Sequence, residues 1–113
     1  MESDVLRHLL LGFIRLHVLY HAGKEPICGV ELMEELRNHG YDVGPGTIYP
    51  MLHQMETDGL LVCADEILNG KRRRNFRATA TGRKLLNQAR SKLRELASEV
   101  LDDKDARLLR KKK

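Results

Sequence analysis

Four consecutive cations, Lys71-Arg72-Arg73-Arg74, are the most pointed chemistry the chain offers. They open a segment, residues 71–94, with ten basic and no acidic side chains, whereas residues 1–70 hold four basic and eleven acidic ones. The overall net charge of +4 conceals that asymmetry. Positive potential gathered on one region is the footprint of a polyanion partner. Lys and Arg can also blunt an exposed strand edge against aggregation, but four in a row with no acid beside them exceed that need. Lys71, Arg72, Arg73 and Arg74 are therefore expected to meet phosphates. A second set, Thr47, Tyr49 and His53, supplies neutral hydrogen-bonding groups that can approach base edges and phosphates without charge repulsion.

Other reactive side chains are sparse. His17 and His21 stand one helical turn apart, a spacing that can chelate a metal ion, and Cys28 and Cys63 could add ligands. Such histidine pairs are more often structural or capping, and two cysteines outside any CxxC pair are expected as reduced structural thiols. There is no Gly-rich phosphate loop, no HExxH, and no nucleophile with a recognisable base. Neither an enzyme nor a cofactor is expected.

The elements that must position these groups follow from periodicity and caps. Residues from about 4 to 22 read as a first helix ended by Gly23, with apolar residues over more than one side. Lys24-Glu25-Pro26-Ile27 reads as a connector. A second helix is predicted from about Gly29 to Asn38, with Cys28 and Glu31 as a weak capping box and Gly40 closing it. The third is capped by Gly44, carries Pro45 at its first position and ends at Gly59. Its Ile48, Leu52 and Met55 share one stripe that must face a core. Thr47, Pro50, His53, Gln54 and Thr57 lie opposite, with Tyr49 on a flank. Helix, short turn and a helix with a polar face is helix-turn-helix spacing. Two strands flank Asn69-Gly70, the strongest short hairpin signal.

Thr79 can cap a last helix from about Ala80 to Leu101. Leu86, Ala89, Leu93, Leu96 and Val100 recur at alternating steps of three and four, a heptad seam. A helix of ~20 residues spans ~30 Å, more than this small domain needs, so its seam is expected to pack against a second copy together with Leu9 and Phe13 of the first helix. The expected organisation is a winged helix-turn-helix domain over 1–79, a dimerisation helix over 80–101 and a basic flexible tail over 102–113. The fold class is mainly α, of α+β type.

The composition fits one soluble domain. Its 113 residues suit a single modest core, and 42 % apolar with 32 % charged residues excludes a disordered chain. Arg7, His8, Arg15 and His17 interrupt the N-terminal apolar run, and Glu2 and Asp4 precede it, so neither a membrane span nor a secretory leader is expected. A cytoplasmic location is expected.

At this point the chain resembles the PadR family of bacterial transcriptional regulators. Gly46-Thr47-Ile48-Tyr49-Pro50 through His53-Gln54-Met55-Glu56 to Asp58-Gly59-Leu60 is similar to that family's GT-aliphatic-YP, H-x-x-E and DGL signature. Arg73-Arg74-Asn75-Phe76-Arg77-Ala78-Thr79-Ala80-Thr81-Gly82 resembles its wing-to-helix segment. Val30 replaces a common aromatic, Asn75 the first wing aromatic and Ala78 a leucine. The resemblance implies a homodimer on double-stranded DNA, usually a repressor acting at a palindromic operator. A small-molecule effector near the dimer seam remains open. With no Trp and no aromatic in the last helix, a planar drug sandwiched there would lack stacking partners. Two other readings stay open: a metal-responsive regulator, and a winged helix that binds an acidic protein.

Overall fold

The structure is a computed structural model and describes residues 3–102. The chain runs α1 (Asp4–Lys24), β1 (Ile27–Cys28), α2 (Gly29–Asn38), α3 (Pro45–Thr57), β2 (Leu61–Leu68), β3 (Lys71–Ala78) and α4 (Ala80–Leu101). The strands form one antiparallel sheet in the order β1-β3-β2. Three helices, a basic hairpin and a long final helix make a winged helix-turn-helix with an arm. The expected tail, from residue 103 on, lies outside the described residues. Among those described, no helix is long and apolar enough to cross a membrane.

Each helix boundary has a local cause. The Ser3 hydroxyl accepts a hydrogen bond from the Leu6 N–H and starts α1. Gly23 does not end that helix: α1 runs on to Lys24, and positive φ occurs only at Gly40, Gly59, Asn69 and Gly70 among the described residues. Both helices of the helix-turn-helix close the same way. Gly40 has φ +90°, and the Tyr41 N–H returns to the Leu36 carbonyl at 2.9 Å. Gly59 has φ +79°, and the Leu60 N–H returns to the Met55 carbonyl at 2.9 Å. Both are Schellman closures, which need a residue free of the β-carbon penalty at positive φ. They fix where the chain leaves α2 and α3.

Strand β1 was not legible as a strand. It has two residues and follows Pro26, too little for an alternation signal. Its pairing supplies the definition instead: Ile27 lies opposite Phe76 and Cys28 opposite Asn75. The hairpin expectation holds. Leu68 and Lys71 close a two-residue turn in which Asn69 (φ 53°) and Gly70 (φ 75°) both adopt positive φ, the type I′ geometry that matches strand twist.

The core gathers Val18 and Leu19 of α1, Leu32 and Leu36 of α2, Ile48 and Leu52 of α3, and Phe76 of β3. Leu86 of α4 joins it at 8 % exposure. This corrects part of the expected dimer seam. Leu86 packs inside its own chain because α4 starts directly behind the sheet and crosses α1, and Ala89 is half-buried. Beyond Arg90 every residue of α4 is exposed. On α1, Leu9 is exposed and Phe13 half-buried.

Thr79 joins the wing, the arm and the end of α3. Its hydroxyl accepts from the Gly82 N–H at 3.0 Å, capping α4, and donates to the Gly59 carbonyl at 2.6 Å, while its own N–H bonds the Leu60 carbonyl at 3.0 Å. Gly82 lies so close behind this clip that a β-carbon there would collide with the Leu60 carbonyl oxygen and sit 3.2 Å from Leu19 Cδ2. The obstacle is backbone and cannot rotate away. Gly82→Ala is expected to destabilise the fold by about 2–4 kcal/mol, the upper range for overpacking. Urea denaturation measures it; a loss below about 1 kcal/mol would mean that α4 shifts freely against the α3 end.

Candidate nucleic-acid interface

Helix α3 has the two-sided character its sequence implies. Ile48, Leu52 and Met55 are buried, and Met51, absent from the expected stripe, is buried too at 6 % exposure. Pro50, His53, Gln54 and Thr57 are exposed on the other side. At 100° per residue, Thr47 and Tyr49 fall on opposite edges of that polar face, and His53 lies nearer its centre. Thr47 is half-buried and lines a hollow shared with Arg7, Leu10 and Tyr41. Tyr49 is 43 % exposed and lies across the start of α2. A β-carbon at position 29 would come within 2.6 Å of the Tyr49 ring, so Gly29 is what lets the ring lie there. Gln54 donates from Nε2 to Asp58 Oδ1 at 2.9 Å, so its amide is already oriented on the exposed face.

Tyr49 and three of the wing cations share one place. Arg72, Arg73 and Arg74 of β3 line a cleft of roughly 610 Å³ with Tyr49 of α3 and with Cys28, Gly29, Val30 and Glu31 at the start of α2. Lys71 sits exposed at the wing turn and is not part of it. His53 and Thr47 lie on α3 outside this cleft.

The expectation that no acid stands beside these cations is corrected by the tertiary structure. Arg72 and Arg74 lie on one face of the hairpin with Asp65 of β2, directly opposite Arg74. Arg72 donates from Nε to Asp65 Oδ2 at 2.9 Å and pairs with it through Nη2 as well, while Arg74 Nε is 3.8 Å from Asp65 Oδ1 and its Nη2 4.0 Å from Glu56 Oε1. Arg73, on the other face, reaches Glu31 Oε1 at 2.9 Å and Cys28 Sγ at 3.0 Å. Glu31 also accepts from the Cys28 N–H at 3.1 Å. That backbone bond, with Arg73 adding to it, holds the Glu31 carboxyl below its ordinary range. Arg73 thus ties the wing to the first turn of α2. Glu31, Glu56 and Asp65 are parts of the site that residue-by-residue reading missed. Only Asp65 had a signal, since counting back across Asn69-Gly70 sets it opposite Arg74.

The histidines form a second centre, away from the wing. His17 and His21 of α1 are joined by His39 at the end of α2, which the sequence spacing did not suggest. Burial first, then the neighbouring His39 and His21, lowers the His17 pKa. Burial also lowers that of His21, against an opposing pull from Glu35. Both rings are held toward the neutral form, which leaves one nitrogen lone pair on each. Neither cysteine belongs to this group: Cys28 lines the wing cleft, and Cys63 lies on β2 opposite Phe76.

Comparisons with known proteins agree on the architecture. The model of the transcriptional regulator PadR-like family matches residues 18–88. The chain is 47 % identical over 96 residues to the transcriptional regulator Rv3488 of Mycobacterium tuberculosis, covering 85 % of this chain and 90 % of that protein. Among solved structures, a PadR-like transcriptional regulator from Bacillus cereus superposes with a TM-score of 0.74 at 27 % identity, covering 88 % of this chain and 95 % of that one. A putative transcriptional regulator from Thermoplasma acidophilum gives a TM-score of 0.74 at 28 % identity, covering 85 % and 93 %.

Proposed function

Because the chain belongs to the PadR-like family of transcriptional regulators and is no enzyme, we propose that it is a homodimeric repressor that binds a palindromic operator in the cytoplasm. Two copies joined along α4 and the exposed part of α1 turn their α3 helices to one side, about one DNA turn (~34 Å) apart, into successive major grooves. His53 and Tyr49, with Thr47 at the opposite edge, meet base edges or phosphates. Lys71, Arg72, Arg73 and Arg74 meet the flanking phosphates or the adjoining minor groove. Specificity comes from α3 and most of the affinity from the wing. A ligand bound beside the seam would change the spacing of the two α3 helices.

One observation carries this reading: Tyr49 of α3 and the arginines of β3 border the same cleft, so a single duplex could touch both. Titration of promoter DNA over a salt series tests it. Four wing cations per subunit on phosphates give a log–log slope near −7, at about −0.9 per phosphate. A slope near zero, or equal affinity for promoter and random duplex at every salt concentration, would overturn the assignment. An acidic protein partner would leave DNA affinity negligible throughout.

A further inference from the structure

We propose that His17, His21 and His39 form a binding site for a divalent transition-metal ion of the zinc class. The proposal goes beyond the DNA-binding reading and does not depend on it. Three observations support it. One nitrogen from each ring lies within 4.8 Å of the other two. His17 and His21 present their rings from successive turns of α1, the i, i+4 placement that lets two imidazoles share one ion. His39 enters from the C-cap of α2, opposite them.

The second observation is a deficit. His21 Nε2 is buried with no hydrogen-bond partner among the described residues. Glu35 Oε2, at 3.9 Å, is too distant to hydrogen-bond it. A buried polar nitrogen without a partner is costly, and ring packing alone would be served as well by an apolar side chain. A metal ion would use that lone pair. Glu35 precedes His39 by one helical turn, and its carboxylate stands beside His21, where it can orient that ring toward an ion.

The third observation is space. The rings open onto a hollow of roughly 470 Å³ bordered by Tyr41 and, across it, by Leu86, Arg90 and Leu93 of α4. It admits an ion and a water.

The donor chemistry selects the ion. Imidazoles with one nearby carboxylate suit Zn2+ and its neighbours rather than Mg2+ or Ca2+, which demand oxygen ligands. Tetrahedral bonds of ~2.0–2.1 Å put ligand nitrogens about 3.3 Å apart, so the rings must draw in and turn. The His17 and His39 rings are now stacked, centroids 4.7 Å apart. His39 is exposed at a helix end and is the ring free to turn. The ion would then pin α1 to the end of α2.

The full-length protein, stripped with a chelator, is titrated with Zn2+ by calorimetry and with Co2+ by visible spectroscopy. The expected result is one ion per chain, with ligand-field bands of nitrogen-ligated cobalt. His39→Ala, at an exposed position, and His17→Gln should each weaken binding by about 100-fold or more, at least the range seen for losing a supporting ligand. The pair Cys28→Ser with Cys63→Ser should leave it unchanged. Saturating Zn2+ should raise the melting temperature of the parent and not that of His39→Ala. Absence of stoichiometric binding, unaltered binding in both histidine variants, or its loss in the cysteine pair would each overturn the proposal. The three rings would then be packing against Tyr41 and nothing more.

Discussion

Replacing Arg72, Arg73 and Arg74 together by Ala is expected to lower affinity for promoter DNA by roughly 10²–10³ at ~0.1 M salt and to flatten the salt dependence by about 2.7 in slope for each subunit's set of three. The wing cations stand over a cleft that α3 also borders, so they would meet phosphates beside the groove that α3 enters. Circular dichroism and sedimentation check that fold and assembly survive. Arg72 and Arg74 are exposed, and their ion pairs with Asp65 are of a kind that contributes little to stability. The single variant Arg73→Ala separates two roles, because that residue also ties the hairpin to α2 through Glu31 and Cys28. If the triple variant bound promoter DNA as tightly as the parent, the wing would be a solvated edge and the proposed contact surface would fail.

Leu93→Glu combined with Leu96→Glu is expected to yield a folded single-copy species whose operator affinity falls by about 10²–10⁴, the range set by losing the effective concentration of a tethered second half. The arm provides the argument. Leu93, Leu96 and Val100 are 40 %, 51 % and 63 % exposed, on a helix whose outer part no other element among the described residues covers. The radius of gyration is 17.1 Å, against about 13 Å for a compact domain of this length; the excess reflects that projecting helix. A row of apolar residues at heptad spacing is poorly placed in water. Leu9, on α1, is exposed as well and can extend the same contact. Acids at positions already exposed leave the core alone, so the expected change is in assembly. Analytical ultracentrifugation of parent and variant decides it, and a parent already sedimenting as one copy would refute the arrangement.

Much of this architecture was readable because local signals agreed with one another. The boundaries of α2 and α3 followed from Cys28, Pro45, Gly40 and Gly59, each of which acts on its own neighbours. The hairpin followed from Asn69-Gly70. Gly23 misled because a glycine in a last turn looks the same whether or not the chain turns left-handed there; the turn was built one residue after Lys24 with extended backbone at Glu25. Features made by distant residues left no trace in spacing. Glu31 and Glu56 reach the wing across the fold, β1 exists only through its pairing with β3, and His39 meets His17 because α2 packs against α1. The partial burial of the expected seam at Leu86 is of the same kind: periodicity identified an apolar stripe, and only packing could divide it between the chain's own core and the surface.

The carboxylates beside the wing have a kinetic consequence. In the proposed complex, each guanidinium that left Asp65, Glu31 or Glu56 for a phosphate would leave a bare anion facing the same polyanion. That repulsion would shorten the hold of matched and random duplex by the same factor. The wing would then keep exchange between sites fast, and the whole difference between target and random DNA would rest on α3.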